Sequence, residues 1–210
     1  MRLGLGSYAC AWAIGVPGHV PLMPLSATGL VKRAESLGLR VVVDTASEHP
    51  SPAEAVNSLR YFAPELEAAG VTLAIENHDR FNARTFAEIV ERVGSSNVGI
   101  CLDTVNSFGA LEGPEVVIET LAPYVVNLHL KDFTIARLPH MMGFTVGGAP
   151  AGQGRFDIPK LLETLRRQGV DPNVILELWP PPEDDPEATV AKEERWVRES
   201  VAYLRTLIPD

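Results

Sequence analysis

The sequence is poor in cysteine, in positive charge and in long hydrophobic runs, and each shortage excludes something. Two cysteines in 210 residues, Cys10 and Cys101, make neither a disulfide framework nor a zinc knuckle, and such sparing use fits a reducing, cytoplasmic setting. Lys and Arg total 18 against 27 Asp and Glu, for a formal charge of −9. No basic stripe is available to track a phosphate backbone, so nucleic acid is not an expected partner. No stretch approaches the roughly 18 consecutive apolar residues that span a bilayer, so a membrane is not expected either. The opening LGLGSYACAWAIGV has the outline of a leader peptide, but Gly4, Gly6, Ser7 and Tyr8 break its apolar run. Residues 3–7 read instead as a first buried strand.

What remains is 46% hydrophobic and 21% charged, the balance of a folded chain with one sizeable core. No linker, repeat or low-complexity tract divides it, and a single domain over residues 1–210 is expected. From residue 39 on, short β-branched runs alternate with helix-period segments, the pattern of βα units and a parallel sheet. The runs are LRVVVDT (39–45), VTLAIEN (71–77), VGICLDT (98–104), VVNLHLKD (125–132) and NVILELW (173–179). Each is almost continuously apolar until its end, as strands covered on both faces are.

Between them, apolar residues at 55, 59, 62, 66 and 69 form one helical stripe. Thr85 and Glu88 have the spacing of a capping box, with Gly94 placed to end that helix. Pro114 suits the first turn of a helix to about residue 122, Asp157 can cap a helix that stops at Gly169, and residues 187–208 form the longest helix. Two segments read as irregular: 15–27, with three prolines and two glycines, and 133–156, with five glycines and two prolines. A loop as long as the second is usually functional.

The informative feature is where the apolar runs break. Asp44, Glu76, Asp103 and Glu177 stand at or near the ends of four runs, and His129, Lys131 and Asp132 end the fifth. In a parallel sheet these ends share one side, the side that carries active sites in (β/α) barrels. A lone acid there is simply hydrated, but several converging on one mouth repel each other unless a cation holds them. Two-residue alternation puts Glu76 on the face of Ala74, Asp103 with Cys101, His129 with Asn127 and Glu177 with Ile175. Three carboxylates and an imidazole suit one divalent ion, Mn²⁺, Mg²⁺, Co²⁺ or Zn²⁺, and lack the thiolates of a structural zinc site.

On the segments AIENH (74–78), GICLDT (99–104), NLHLKD (127–132), GGAPAGQGRFDIPKLLETL (147–165) and VILELW (174–179), the chain resembles the xylose-isomerase-like TIM-barrel superfamily. That superfamily holds sugar isomerases and epimerases and also the type-IV apurinic endonucleases. The resemblance implies that Glu76, Asp103, His129 and Glu177 bind one divalent metal, with Glu76 and Glu177 as the acid/base pair flanking the substrate carbon. The implied reaction is isomerisation or epimerisation of a keto sugar or small hydroxy-keto acid through an enediolate, the metal stabilising its oxygens. Asn106 stands where the family often has a histidine. His78, Asn106, Lys131, Arg137 and His140 are candidate contacts to substrate, and Gly152-Gln153-Gly154 resembles a family glycine turn that brings backbone amides to ligand.

The length departs from the family. A TIM barrel has eight βα units and typically ~250 residues, whereas six strands can be counted here. LRVVVDT looks like the family's fourth strand, so the second and third βα units are missing. The expected fold is therefore an α/β chain of TIM-barrel type with an incomplete barrel, its open edge covered by a second copy or by the 15–27 segment. The leading expectation is a metal-dependent isomerase or epimerase with a small carbohydrate substrate. The alternative is a shortened barrel that binds without catalysing. An apurinic endonuclease ranks below both, because five histidines and a −9 charge suit neither a zinc cluster nor a polyanion.

Overall fold

The computed structural model describes residues 4–6, 22–36, 41–44, 50–184 and 186–208. Along the chain, β1 (Gly4–Gly6), α1 (Ala27–Ser36) and β2 (Val41–Asp44) come first. Next are α2 (Pro52–Ala69), β3 (Thr72–Glu76), α3 (Ala83–Val93) and β4 (Val98–Asp103). Then follow α4 (Pro114–Leu121), β5 (Val125–Leu130), β6 (Asp132–Arg137) and β7 (Phe144–Ala149). The chain ends with α5 (Ile158–Arg167), β8 (Asn173–Leu176) and α6 (Pro186–Leu204). Cys10, residues 15–21 of the proline-rich segment and most of the leader-like opening lie outside the described residues.

Six strands form one parallel sheet in the order β1-β2-β3-β4-β5-β8. Among the described residues β1 and β8 do not pair with each other, so the barrel is incomplete, as the strand count predicts. The core lies between the sheet and its helices. Ile100, Leu102, Leu128 and Leu130 from β4 and β5 are fully buried against Leu121 of α4 and Ile158 and Leu161 of α5. Each such side chain contributes roughly 1.5–3 kcal/mol by leaving water. Leu66 of α2 and Leu73 of β3 extend this layer towards Leu30 and Val31 of α1. On the opposite face Ala74 and Cys101 are also fully buried, which puts small side chains directly beneath the polar ends of the strands.

Two local readings are corrected. The helix expected to be capped by Thr85 and Glu88 starts earlier: Asn82 is the cap, its Oδ1 accepting from the Thr85 amide at 2.8 Å, while Glu88 pairs with Arg84. A capping box does exist, one helix earlier, where Ser51 and Glu54 satisfy each other's amides at the start of α2. Segment 133–156 is also not wholly irregular, since residues 132–149 make the antiparallel ribbon β6–β7. Its alternation is masked by two consecutive glycines and by a turn containing Pro139 and the Met141-Met142 pair. Gly94 and Gly169 do adopt the left-handed conformation their positions predict, and Asp157 caps α5 through the Lys160 amide.

Candidate metal centre

Register brings the four strand-end residues together. Asp103 stands opposite His129 in the β4–β5 ladder. The β5–β8 pairing continues past β8 through the Glu177 amide, which donates to the Leu130 carbonyl at 3.0 Å. Glu76 closes β3. One ligand atom from each of Glu76, Asp103, His129 and Glu177 lies within 4.8 Å of the others.

Each side chain is held from behind. Asp103 Oδ1 accepts from the amides of Val105 and Asn106, both at 2.8 Å, which turns Oδ2 into the cluster. Asn106 Nδ2 donates to Glu76 Oε1 at 2.9 Å. His129 Nδ1 lies 3.0 Å from Glu177 Oε1 and 3.4 Å from Glu76 Oε1. Lys131 enters from the same strand, its Nζ 2.8 Å from Asp103 Oδ2 and 2.9 Å from Glu177 Oε2.

The electrostatics follow from this crowding. Burial alone would lower the His129 imidazole, but Cys101, Glu177 and Glu76 around it more than offset that and push its pKa up to about 12. The same imidazole, opposed in part by burial and helped by Lys131, draws Glu177 down to about 2. Burial pushes the Asp103 carboxyl up against the pull of Lys131. It also raises the Cys101 thiol, which keeps that residue a neutral filler below the cluster.

The donor set fits a divalent ion. Asp103 Oδ2 and His129 Nδ1 are buried, and their close partners are charged groups of the cluster itself, Lys131 for the first and Glu177 and Glu76 for the second. Three carboxylates crowded in a largely buried pocket are costly without positive charge, and a divalent ion held by them and the imidazole would supply it. Three hard oxygens and one nitrogen suit Mg²⁺, Mn²⁺, Co²⁺ or Zn²⁺.

The other candidates divide. Asn106 and Lys131 join the cluster. His78 is exposed, with Nδ1 against Asp79 Oδ1 at 2.8 Å. Arg137 and His140 sit at the exposed ribbon tip, where Arg137 donates to the Met141 carbonyl and His140 Nδ1 accepts from the Met142 amide. For Asp44 the structure describes the backbone at the end of β2. The glycine turn 152–154 is corrected in role. Its amides do not reach out to a ligand: those of Gly152 and Gly154 donate to Asp132 Oδ2, both at 2.9 Å.

The roles of three polar residues escaped the sequence reading. Asn77, fully buried, clamps the end of β4: its Oδ1 accepts from the Asp103 amide at 2.7 Å and its Nδ2 donates to the Asp103 carbonyl at 2.9 Å. The Thr104 hydroxyl accepts from the Lys131 amide and donates to the Lys131 carbonyl, each at 2.8 Å. Asp132 gathers four amides. Each directly follows or closely neighbours a ligand in the sequence, and polarity continuing past a buried strand end was the available signal.

A parallel sheet backed by helices, with metal-ligating residue types gathered at the C-terminal ends of four adjacent strands, defines a protein of the (β/α)-barrel class. A family model described as xylose isomerase-like TIM barrel matches residues 26–207, and the chain belongs to that family. It is similar to the 3-oxo-isoapionate decarboxylase of Pectobacterium atrosepticum, 37% identical over 171 residues that cover 81% of this chain and 62% of that protein. The chain thus spans less than two thirds of that curated relative. Solved structures share the fold. A xylose isomerase-like TIM barrel protein from Mycobacterium smegmatis in complex with magnesium matches with TM-score 0.61 and 14% identity, over 84% of this chain and 66% of the other. The IOLI protein with a binding zinc atom matches with TM-score 0.63 and 21% identity, over 85% and 66%. Among the described residues, no helix is long and apolar enough to cross a membrane.

Proposed function

We propose that this chain carries the active site of a divalent-metal enzyme that isomerises or epimerises a keto sugar or small hydroxy-keto acid by moving a proton beside a carbonyl. The observation that carries the reading is the quartet itself, four side chains from four neighbouring strands with their ligand atoms within 4.8 Å. A divalent ion bound by Glu76, Asp103, His129 and Glu177 supplies Lewis-acid stabilisation of negative charge on substrate oxygens.

The rest is done by side chains. Glu177, ionised and with its side chain 35% exposed, is the more accessible carboxylate and the one placed to take a proton from substrate. Glu76, only 10% exposed and steered by Asn106 Nδ2, is the second carboxylate of the pair, able to hold and return a proton. Lys131 and Asn106 offer donors to substrate oxygens. His78, Arg137 and His140, with polar atoms engaged away from the cluster, have no part in this proposal.

A second reading is supported by the 37% identical decarboxylase. In a 3-oxo acid, breaking the bond to the carboxylate carbon releases CO₂ and leaves its electron pair conjugated with the carbonyl, and a carboxylic acid group then protonates the carbon. The demands on the site are the same, so one panel separates the two. Incubated with Mn²⁺ in deuterated water, the protein is expected to exchange a C–H beside the carbonyl of a ketose or hydroxypyruvate, and Glu177→Gln to abolish this. CO₂ release from 3-oxo sugar acids without ketose exchange would replace the first reading by the second, and neither activity would favour a binding role. We further propose that a second copy of the chain covers the open sheet edge.

A further inference from the structure

Lys131 follows His129 by two residues, so alternation sends both side chains to the same mouth. Its backbone N–H and carbonyl are both held by the Thr104 hydroxyl, and the next residue, Asp132, is gripped by backbone amides. From that anchored position the ammonium reaches Asp103 Oδ2 at 2.8 Å, Glu177 Oε2 at 2.9 Å and Asn106 Oδ1 at 3.2 Å. Its side chain is 15% exposed. Two of the four proposed metal ligands are thus already paired with a cation that belongs to the chain.

A divalent ion held by the quartet competes with the lysine at Asp103, whereas Glu177 has Oε1 facing His129 and Oε2 on the lysine. Asp103 has Oδ2 alone to offer, since Oδ1 accepts two backbone amides. Ion and ammonium cannot both keep their shortest contacts with it, and as like charges they repel at short range in a poorly hydrated pocket. The lysine is not a stray surface ion pair of negligible worth. Without it, Glu76, Asp103 and Glu177 would converge with a single imidazole as counter-charge.

We infer that Lys131 is the built-in counter-ion of the metal pocket: its ammonium holds Asp103 and Glu177 in ligand position, and a divalent ion displaces it from Asp103 Oδ2 on binding. This rests on the reading that the quartet holds a metal. It assigns Lys131 a positioning role, acting through the ligands. The ligands are therefore pre-positioned at the cost of a weakened affinity, because each ion that enters must break the lysine's pair with Asp103. The displaced ammonium keeps Glu177 Oε2 and Asn106 Oδ1 as partners.

Calorimetric titration of the metal-free protein with Mn²⁺ tests this on the wild type, Lys131→Met and Asp103→Asn. Lys131→Met is expected to bind Mn²⁺ at least about tenfold more tightly than the wild type, to melt at a lower temperature without metal, and to gain more from metal on melting. Asp103→Asn is expected to lose Mn²⁺ binding. Equal or weaker binding by Lys131→Met, with Asp103→Asn still defective, overturns the counter-ion role and leaves the metal site standing. No binding by either wild type or Lys131→Met overturns the metal site and this inference with it. Should Lys131→Met not fold, the side-chain ammonium resonance of Lys131 in the wild type, assigned by its absence from Lys131→Arg, gives the answer during a Mg²⁺ titration. Displacement moves that resonance with the midpoint of metal binding, and a resonance that stays fixed while metal binds overturns the inference.

Discussion

Asn77 shows how one short amide can set up a site it does not belong to. Fully buried, it makes hydrogen bonds to the amide and carbonyl of Asp103 and to Ser107 Oγ, and so fixes the strand end from which Asp103 projects. Asn77→Ala leaves those groups unmet where water cannot reach them, at a cost of about 3 kcal/mol. Urea unfolding should show that loss, and Mn²⁺ affinity should fall with it. Asp132 works in the same way on a loop. It accepts from the amides of Phe133 (2.7 Å), Gly152 (2.9 Å), Gly154 (2.9 Å) and Phe156 (3.1 Å). Gly154 is required there, since a Cβ would stand 2.0 Å from Asp132 Oδ1. Asp132→Ala should cost roughly 3 kcal/mol or more, read again from urea unfolding. Both residues lie within motifs that drew notice for their neighbours. The ligands were legible because acids and a histidine interrupt apolar runs at one end of the strands. The roles of Asn77 and Asp132 were not, because they depend on which strand end or loop packs against them.

Elements were legible to the degree that their signals are local. The cap of α5 and the glycines after α3 and α5 are properties of one stretch of chain, and the structure bears them out. The α2 stripe lies on the packed face, with Val56 and Ala63 beside it buried deeper than most of it. The start of α3 was misread because T-x-x-E also occurs within a helix: Thr85 is the third helical residue there, and Asn82, three positions earlier, had the capping chemistry. The ribbon escaped because its pairing is not local to either strand. Ile135 faces Val146 and Arg137 faces Phe144 across it, while Thr134 lies opposite Gly147 and Phe133 opposite Gly148. Gly148 makes room for the chain that leaves β8. A Cβ on Gly148 would stand 2.5 Å from the Trp179 carbonyl oxygen, two residues beyond Glu177. Gly148→Ala is therefore expected to shift that segment and lower Mn²⁺ affinity by about tenfold, with a stability loss of roughly 1–3 kcal/mol. Calorimetric titration beside thermal melting separates the two effects. An unchanged affinity would mean that Glu177 is placed by its ladder to β5 alone.

At the scale of the whole molecule, the six apolar runs predicted six parallel strands, and the common direction of those strands placed every terminal acid at one mouth. The strand count also predicted that the barrel does not close; what covers the open edges depends on geometry beyond any one stretch of chain. Among the described residues β1 and β8 are edges, and Ile175 on β8 is 42% exposed. Unpaired edges of this kind favour association with another chain. Light scattering at tens of micromolar protein should therefore report twice the mass of one chain, and a strict monomer would remove the proposal that a second copy covers the edge. None of this alters the retained half of the barrel, which contains all four ligands. The central claim is that Glu76, Asp103, His129 and Glu177 hold one divalent ion. Crystals grown with Mn²⁺ and measured near its absorption edge should show one anomalous peak within coordination distance of all four side chains. A structure with those side chains ordered and no peak between them, under conditions where the ion is in excess, would contradict it.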